Sequence, residues 1–243
     1  MGIKNMNQIL SSYKGKKVFI TGHTGFKGSW LSYLMTELGA NIRGYSLEMD
    51  TKPNHFQLLQ LREKVDHIVG DITDLSSLEK ALNDFQPEYV FHLAAQAIVK
   101  DSYYDPVKTF NTNIMGSVNL LESVRKCESV KSLVYITSDK CYENSEWIWG
   151  YRENDQLGGQ DPYSASKGAS ELVFSAFYRS FLSGRNNFGA ATARAGNVIG
   201  GGDWAADRII PDCIRAIEAD KPIKLRNPNA TRPWQHVLEP LLG

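Results

Sequence analysis

The chain has 243 residues, 42% hydrophobic and 22% charged, with Lys plus Arg matching Asp plus Glu at 27 each. These figures describe an ordinary soluble globular chain, long enough for one large domain or two small ones. The balanced charge argues against nucleic acid as a partner, and no apolar run is long enough to span a membrane. Cys127, Cys141 and Cys213 are scattered and form no C-x-x-C, which fits a cytoplasmic, reducing setting. The five histidines show no H-x-x-x-H spacing, so no metal site is expected, and the N-terminus lacks the apolar core of a signal peptide.

Taken in chain order, strand-like and helix-like segments alternate. "KKVFITG" reads as a strand, "FKGSWLSYLMTELG" as a helix and "NIRGYSL" as a second strand. "VDHIVGDI" and "EYVFHLAA" are further strands, followed by one long amphipathic helix over "VKTFNTNIMGSVNLLESVRKC". "SLVYITS" is a strand, "PYSASKGASELVFSAFYRSFL" a helix, and "NFGAATARAGNVIG" a strand running into a loop. This β-α alternation predicts an α/β fold, a doubly wound, Rossmann-like parallel sheet with helices on both faces. Residues 1–190 are read as the dinucleotide-binding domain. Residues 191–243, rich in Gly, Pro, Trp and Arg, are read as a partial, loop-rich substrate-binding region. The chain stops mid-pattern at "VLEPLLG".

The first strand ends in "VFITGHTGFKG", which spaces Gly22, Gly25 and Gly28 as G-x-x-G-x-x-G. Glycines there allow a tight turn and a close backbone approach to a pyrophosphate, and the helix that follows presents unpaired N–H groups. A phosphate-binding P-loop needs Gly-Lys-Ser/Thr after its spacers, and Lys27-Gly28-Ser29 has the order wrong. A dinucleotide site usually has an acid at the end of the second strand, for the adenosine ribose. That position falls near Ser46, with Glu48 and Asp50 slightly late, so the choice between NAD and NADP stays open. Arg43 is expected to point to solvent.

A tyrosine hydroxyl titrates near 10, and a neighbouring ammonium favours its ionised form. Y-x-x-x-K puts both groups on one helical face. The chain contains Tyr13/Lys17, Tyr104/Lys108 and Tyr163/Lys167. Tyr13 falls in a lead-in expected to be disordered, and Tyr104 in a loop entering a helix. Tyr163 follows Asp161 and Pro162, a helix cap and first helical residue. It is therefore the one placed to meet the strand-end hydroxyl of Ser138.

Together these residues resemble the extended short-chain dehydrogenase/reductase family. "TGHTGFKG" resembles its cofactor loop, "GDI" its adenine contact, "HLAAQ" its fourth-strand end, "NTNIMGS" its helix with an asparagine near the cofactor, and "YSASK" its catalytic pair. Within that family "TSDK" is similar to the sugar-nucleotide 4,6-dehydratases. "ARAGNVIGGGDWAADRIIPD" and "RNPNATRPWQHVLEPL" are similar to the branch acting on CDP-glucose. The resemblance implies NAD held by Gly22, Gly25, Phe26, Gly28, Ser46, Asp71, Ile72, Leu93, Ala94, Ala95, Asn113, Tyr163 and Lys167. It implies a nucleotide sugar met by Gln96, Asn197, Arg208 and Arg232, a role in deoxysugar and O-antigen biosynthesis, and a homodimer. That dimer would pair the long helix and the Tyr163 helix with their copies, using Leu172, Phe174, Phe177 and Phe181.

The reaction implied starts with Tyr163, assisted by Lys167 and Ser138, taking the proton of the sugar's 4-hydroxyl. Asp139 matches the acid that protonates the departing 6-hydroxyl. Lys140 stands where relatives acting on dTDP-glucose have a glutamate base. It is either a neutral base toward carbon 5 or an ammonium that stabilises the enolate. The rival readings are a sugar-nucleotide epimerase or dTDP-glucose- or GDP-mannose-type dehydratase, a simple reductase, and a non-catalytic dinucleotide-binding protein.

Overall fold

A computed structural model describes residues 11–48 and 51–243. Asp50, one of the two late acids, lies outside the described residues. Strands β1 (Lys17–Thr21), β2 (Asn41–Ser46), β3 (Asp66–Val69), β4 (Tyr89–His92), β5 (Ser132–Ile136) and β6 (Gly189–Ala193) form one sheet. Its order is β3-β2-β1-β4-β5-β6, and every pairing is parallel. This is the doubly wound arrangement read from the sequence. Its strand order reverses between β1 and β4, where such sheets open a ligand crevice.

Side chains alternate across the sheet, so neighbouring strand residues enter different cores. Phe19, Tyr45, Val90, Leu133 and Tyr135 pack with Leu78 and Leu82 of α3 (Leu75–Phe85) and with Leu120, Leu121 and Val124 of α6 (Gly116–Lys126). Val18, Ile20, Ile42 and Phe91 pack on the other face with Leu31 and Met35 of α1 (Phe26–Glu37) and with Phe56 of α2 (His55–Leu58).

The long helix expected from the sequence runs unbroken over residues 106–126 but is not α-helical throughout. After α4 (Val99–Tyr104), α5 (Pro106–Phe110) enters a π-helical turn over Asn111–Met115 before α6 resumes. A π turn adds one residue to the spiral, a change the 3.6-residue apolar pattern does not report. It leaves Asn113 buried and facing the next helix, α7 (Pro162–Phe177). Tyr104 therefore ends a short helix rather than lying in a loop. The C-terminal segment is more regular than expected. It contains β7 (Asn197–Ile199) paired in parallel with β8 (Trp234–His236), the helix α8 (Ile209–Glu218) and the short α9 (Leu238–Leu242).

Two further expectations need correction. Tyr13 is not in a disordered lead-in, because its ring packs on Tyr89 and Phe91 at centroid distances of 5.1 and 6.4 Å. Arg43 does not point freely to solvent. It pairs with Asp66 at 2.6 Å, donates to the Ala81 carbonyl at 3.0 Å and lies over the Phe85 ring.

Candidate active site

The strand C-termini open into a cleft of about 1770 Å³. That exceeds the usual volume of a single small-molecule site, roughly 300–1,000 Å³, and suits two nucleotide-sized ligands side by side. The glycine loop forms one wall. Gly22 has φ +72°, and a Cβ there would meet the Ala94 backbone nitrogen at 2.7 Å. A Cβ on Gly28 would lie 2.0 Å from the Gly22 carbonyl oxygen. These two glycines are required by close packing of loop, helix and β4. Gly25 caps α1 without a side-chain hydrogen bond, so the first helical N–H groups are left for a ligand.

Of the residues proposed to hold the cofactor, Gly22, Gly25, Phe26, Gly28, Ser46, Asp71, Ile72, Leu93, Ala94, Ala95, Tyr163 and Lys167 line this cleft. Ser46 shares a 2.7 Å hydrogen bond with Thr24. Glu48 also lines the cleft and pairs with Arg62 at 2.9 Å. Asn113 is placed differently. Its side-chain oxygen accepts from the Gln96 backbone N–H at 2.8 Å, and its amide donates to the Gln96 carbonyl at 3.0 Å and to Ser166 Oγ at 2.8 Å. It ties the loop after β4 to α7 from behind the cleft wall. Gln96 is likewise absent from the lining, and its side-chain amide donates to the Ile98 carbonyl. Asn197, Arg208 and Arg232 all line the cleft, and Arg208 pairs with Asp203 at 3.1 Å.

The five proposed catalytic residues, Ser138, Asp139, Lys140, Tyr163 and Lys167, all line this cleft. Asp161 accepts from the Ser164 N–H at 2.9 Å, and Pro162 opens α7, so Tyr163 and Lys167 start the helix at the mouth of β5. Ser138 ends the strand connection and caps a 3₁₀ turn over Asp139–Cys141. Its hydroxyl donates to Asp139 at 3.0 Å, and Ser138 and Tyr163 line the same cleft. Burial raises the Tyr163 hydroxyl above its usual value. The Ser138 hydrogen bond and the Arg208 charge oppose this, and Asp139 and Asp161 reinforce it. Lys167 is pushed down to about 8, first by burial and then by Lys27, while Cys141 and Glu171 act the other way. It therefore remains an ammonium at neutral pH, able to favour the tyrosinate. Lys140 lines the cleft and makes no ion pair among the described residues.

Sequence reasoning did not single out Lys27 as a functional residue. It lines the same cleft, and burial followed by the Arg208 charge lowers its pKa, with Asp139 and Asp203 raising it. The available signal was a cation inside the tightest part of a glycine loop, which served only to reject a P-loop. Asp203, the partner of Arg208, was also missed.

This sheet, glycine loop and Ser/Tyr/Lys set together define an extended short-chain dehydrogenase/reductase. The family model described as GDP-mannose 4,6 dehydratase matches residues 19–241, and the chain belongs to that family. It is 54% identical over 235 residues to a CDP-glucose 4,6-dehydratase of Salmonella typhimurium, covering 95% of this chain and 66% of that one. The chain thus spans just under two thirds of that relative's length. An epimerase from Methanothermobacter thermautotrophicus superposes with a TM-score of 0.86 at 24% identity, over 100% of this chain and 70% of that one. A double mutant of a dTDP-glucose 4,6-dehydratase from Streptomyces venezuelae, solved with NAD bound, gives 0.80 at 20% identity, over 92% and 69%. These two likenesses concern the fold.

Proposed function

We propose that the chain carries the active site of an NAD-dependent hydro-lyase that converts CDP-glucose to CDP-4-keto-6-deoxyglucose. The observation that carries this reading is the convergence of Ser138, Asp139, Lys140, Tyr163 and Lys167 in one cleft with the glycine loop. The identity to a CDP-glucose 4,6-dehydratase supports the choice of sugar nucleotide.

The residues fit a dinucleotide. The Cβ-free approach of Gly22 and Gly28 and the uncapped start of α1 suit a pyrophosphate. Ser46 and Glu48 lie beyond them along the cleft. A carboxylate at Glu48 favours a free ribose diol over a 2′-phosphate, which supports NAD. When bound, the nicotinamide supplies a hydride acceptor for carbon 4 and a hydride donor for carbon 6.

The chain's own groups move the protons. Tyr163 takes the 4-hydroxyl proton as carbon 4 is oxidised, with Ser138 orienting it and the Lys167 ammonium favouring its anion. The new ketone acidifies the hydrogen on carbon 5. Lys140, uncommitted to any carboxylate, acts as the base there, and Asp139 gives its proton to the departing 6-hydroxyl, which leaves as water. Asn197, Arg208 and Arg232 hold the nucleotide sugar, the arginines through charge-assisted bonds to its diphosphate.

The assembly we infer is a homodimer. Val107, Met115, Leu172 and Phe181 are exposed at 77%, 48%, 62% and 54%, an apolar face on the α5–α7 side. Phe174, assigned to that face from the sequence, belongs to the core instead, at 8% exposure. A cytoplasmic setting and a role in O-antigen sugar synthesis are consistent with this chemistry. Among the described residues no helix is long and apolar enough to cross a membrane. The test is incubation of the purified chain with CDP-glucose and NAD, following the alkali-induced absorbance of a 4-keto sugar. No absorbance above a Tyr163→Phe control contradicts the reading.

A further inference from the structure

Beneath the catalytic residues lies an ion pair that the chemistry above does not use. Tyr163, Lys167 and Glu171 follow one another at four-residue steps along α7, and so share one face. Glu171 is only 5% exposed. Arg194 grips it with two bonds, Nε to Oε1 at 2.9 Å and Nη2 to Oε2 at 2.8 Å, and the Thr137 hydroxyl donates to the same carboxylate. Arg194 reaches further. Its Nη1 donates to the Tyr142 hydroxyl at 2.9 Å and to the Glu153 carbonyl at 3.0 Å, and its guanidinium lies over the Tyr142 ring.

Thr137 and Tyr142 stand on either side of the Ser138–Cys141 turn. The turn is therefore tied at both ends to one buried pair. Its backbone is tied to the Arg194 segment too, through Thr137 N–H to the Ala193 carbonyl at 3.0 Å and Asp139 N–H to the Ala195 carbonyl at 3.2 Å. A buried ion pair is a poor source of net stability, because desolvation offsets the attraction, whereas fixing a register is its best-attested use.

We propose that Glu171 and Arg194 form a positioning clamp that holds the Ser138–Lys140 turn in register with Tyr163 and Lys167. The pair that starts the oxidation and the pair that completes the elimination come from different elements, yet must address adjacent carbons of one sugar. The clamp is a side-chain link between those elements. The roles named here rest on the dehydratase reading.

The clamp also bears on the charge of Lys167. That ammonium faces Lys27 from α1, Cys141 from the turn, Glu171 from its own helix, Tyr163 one turn earlier and His92 from β4. Lys27 and burial disfavour its protonated form; Glu171 and Cys141 favour it. Neutralising Glu171 therefore moves the Lys167 titration to lower pH, an effect that loosened packing alone does not demand.

The test uses Glu171→Gln, Arg194→Lys and Thr137→Val in the 243-residue chain. Lysine side chains are labelled with carbon-13 and titrated by NMR, with Lys140 and Lys167 assigned through their Met variants. Elimination is followed in single turnover with CDP-glucose and NAD. In Glu171→Gln the Lys167 midpoint falls below that of the wild type, because the Glu171 charge favours the ammonium. Elimination falls by about 10- to 100-fold, the scale of a misplaced catalytic group, while KM changes by less than about twofold. Arg194→Lys keeps the charge but loses the fork, and loses elimination to a similar extent. Thr137→Val leaves the ion pair intact, slows elimination by roughly tenfold and displaces the Lys140 signal.

An unmoved Lys167 midpoint in Glu171→Gln overturns the clamp, as does a Thr137→Val variant with an unshifted Lys140 signal. If Glu171→Gln does not fold, Thr137→Val decides. If the wild-type chain forms no keto sugar, the dehydratase reading fails, and the two NMR readouts still judge the clamp.

Discussion

Replacing Gly28 with alanine tests the cofactor site through its tightest contact. The added Cβ lies 2.0 Å from the Gly22 carbonyl oxygen and 2.8 Å from the His23 Cα. Ordinary carbon–oxygen contacts are about 3.3 Å or longer, so loop and helix must separate by more than about 1 Å. Both obstacles are backbone and have no rotamer to escape into. The strain itself costs about 1–3 kcal/mol, and the displaced N–H groups no longer meet a pyrophosphate. The assay is thermal unfolding with and without NAD. At NAD a hundredfold above Kd, binding stabilises the wild type by about 2.7 kcal/mol. At this chain length that is a Tm rise of roughly 5–10 °C. A 10- to 100-fold weaker Kd reduces the stabilisation to about 0.4–1.4 kcal/mol, which cuts the rise to between about one sixth and one half of the wild-type shift. Gly184, whose Cβ would meet nothing within 4 Å, is the control and keeps the full shift as alanine. A Gly28→Ala chain that folds and shows the wild-type NAD shift refutes the reasoning.

Lys167→Met raises stability while abolishing oxidation. Lys167 titrates at about 8 in the fold against 10.5 in the open chain. Below pH 8 both states are protonated and the fold bears the full cost of a buried ammonium, up to about 3 kcal/mol. That cost fades between pH 8 and 10.5, so the gain from Met, measured by denaturant unfolding, is largest at neutral pH and declines as pH rises; a gain independent of pH contradicts it. Asp139→Asn and Lys140→Met both retain the first hydride transfer, seen as cofactor reduction in single turnover, and block product formation. Lys140→Met also stops solvent-deuterium exchange at carbon 5, and exchange at the wild-type rate would remove Lys140 from the mechanism. Leu172→Asp puts a charge on the exposed α7 face and shifts light scattering from dimer to monomer, with the fold intact.

Much of this architecture was legible in the sequence because the signals were local. Strands β1 to β6 announced themselves as short apolar runs with alternating partners, and Asp161-Pro162 announced the start of α7. Gly22 and Gly28 were legible because no other residue fits a left-handed turn or so close a backbone approach. The misreadings come from one local irregularity and from contacts between distant segments. The π turn at Asn111–Met115 inserts a residue that periodicity averages away. Arg43 looked free until Asp66, Phe85 and the Ala81 carbonyl were brought beside it. The hydrogen bonds between the Asn113 side chain and the Gln96 backbone likewise join segments that motif reading takes one at a time. Glu171 sat one turn beyond a recognised pair on the same face, but its partners Thr137 and Arg194 come from other segments.

The central claim is that one cleft both removes hydride from carbon 4 and delivers it to carbon 6, with water lost between. The most direct measurement uses CDP-glucose carrying deuterium at carbon 4, turned over by the purified chain with NAD, and locates the label in the product by NMR. Deuterium is expected on carbon 6 of a 4-keto-6-deoxy sugar, with net NAD unchanged. Label accumulating in reduced cofactor, or returning to carbon 4 of an unchanged or epimerised sugar, contradicts it.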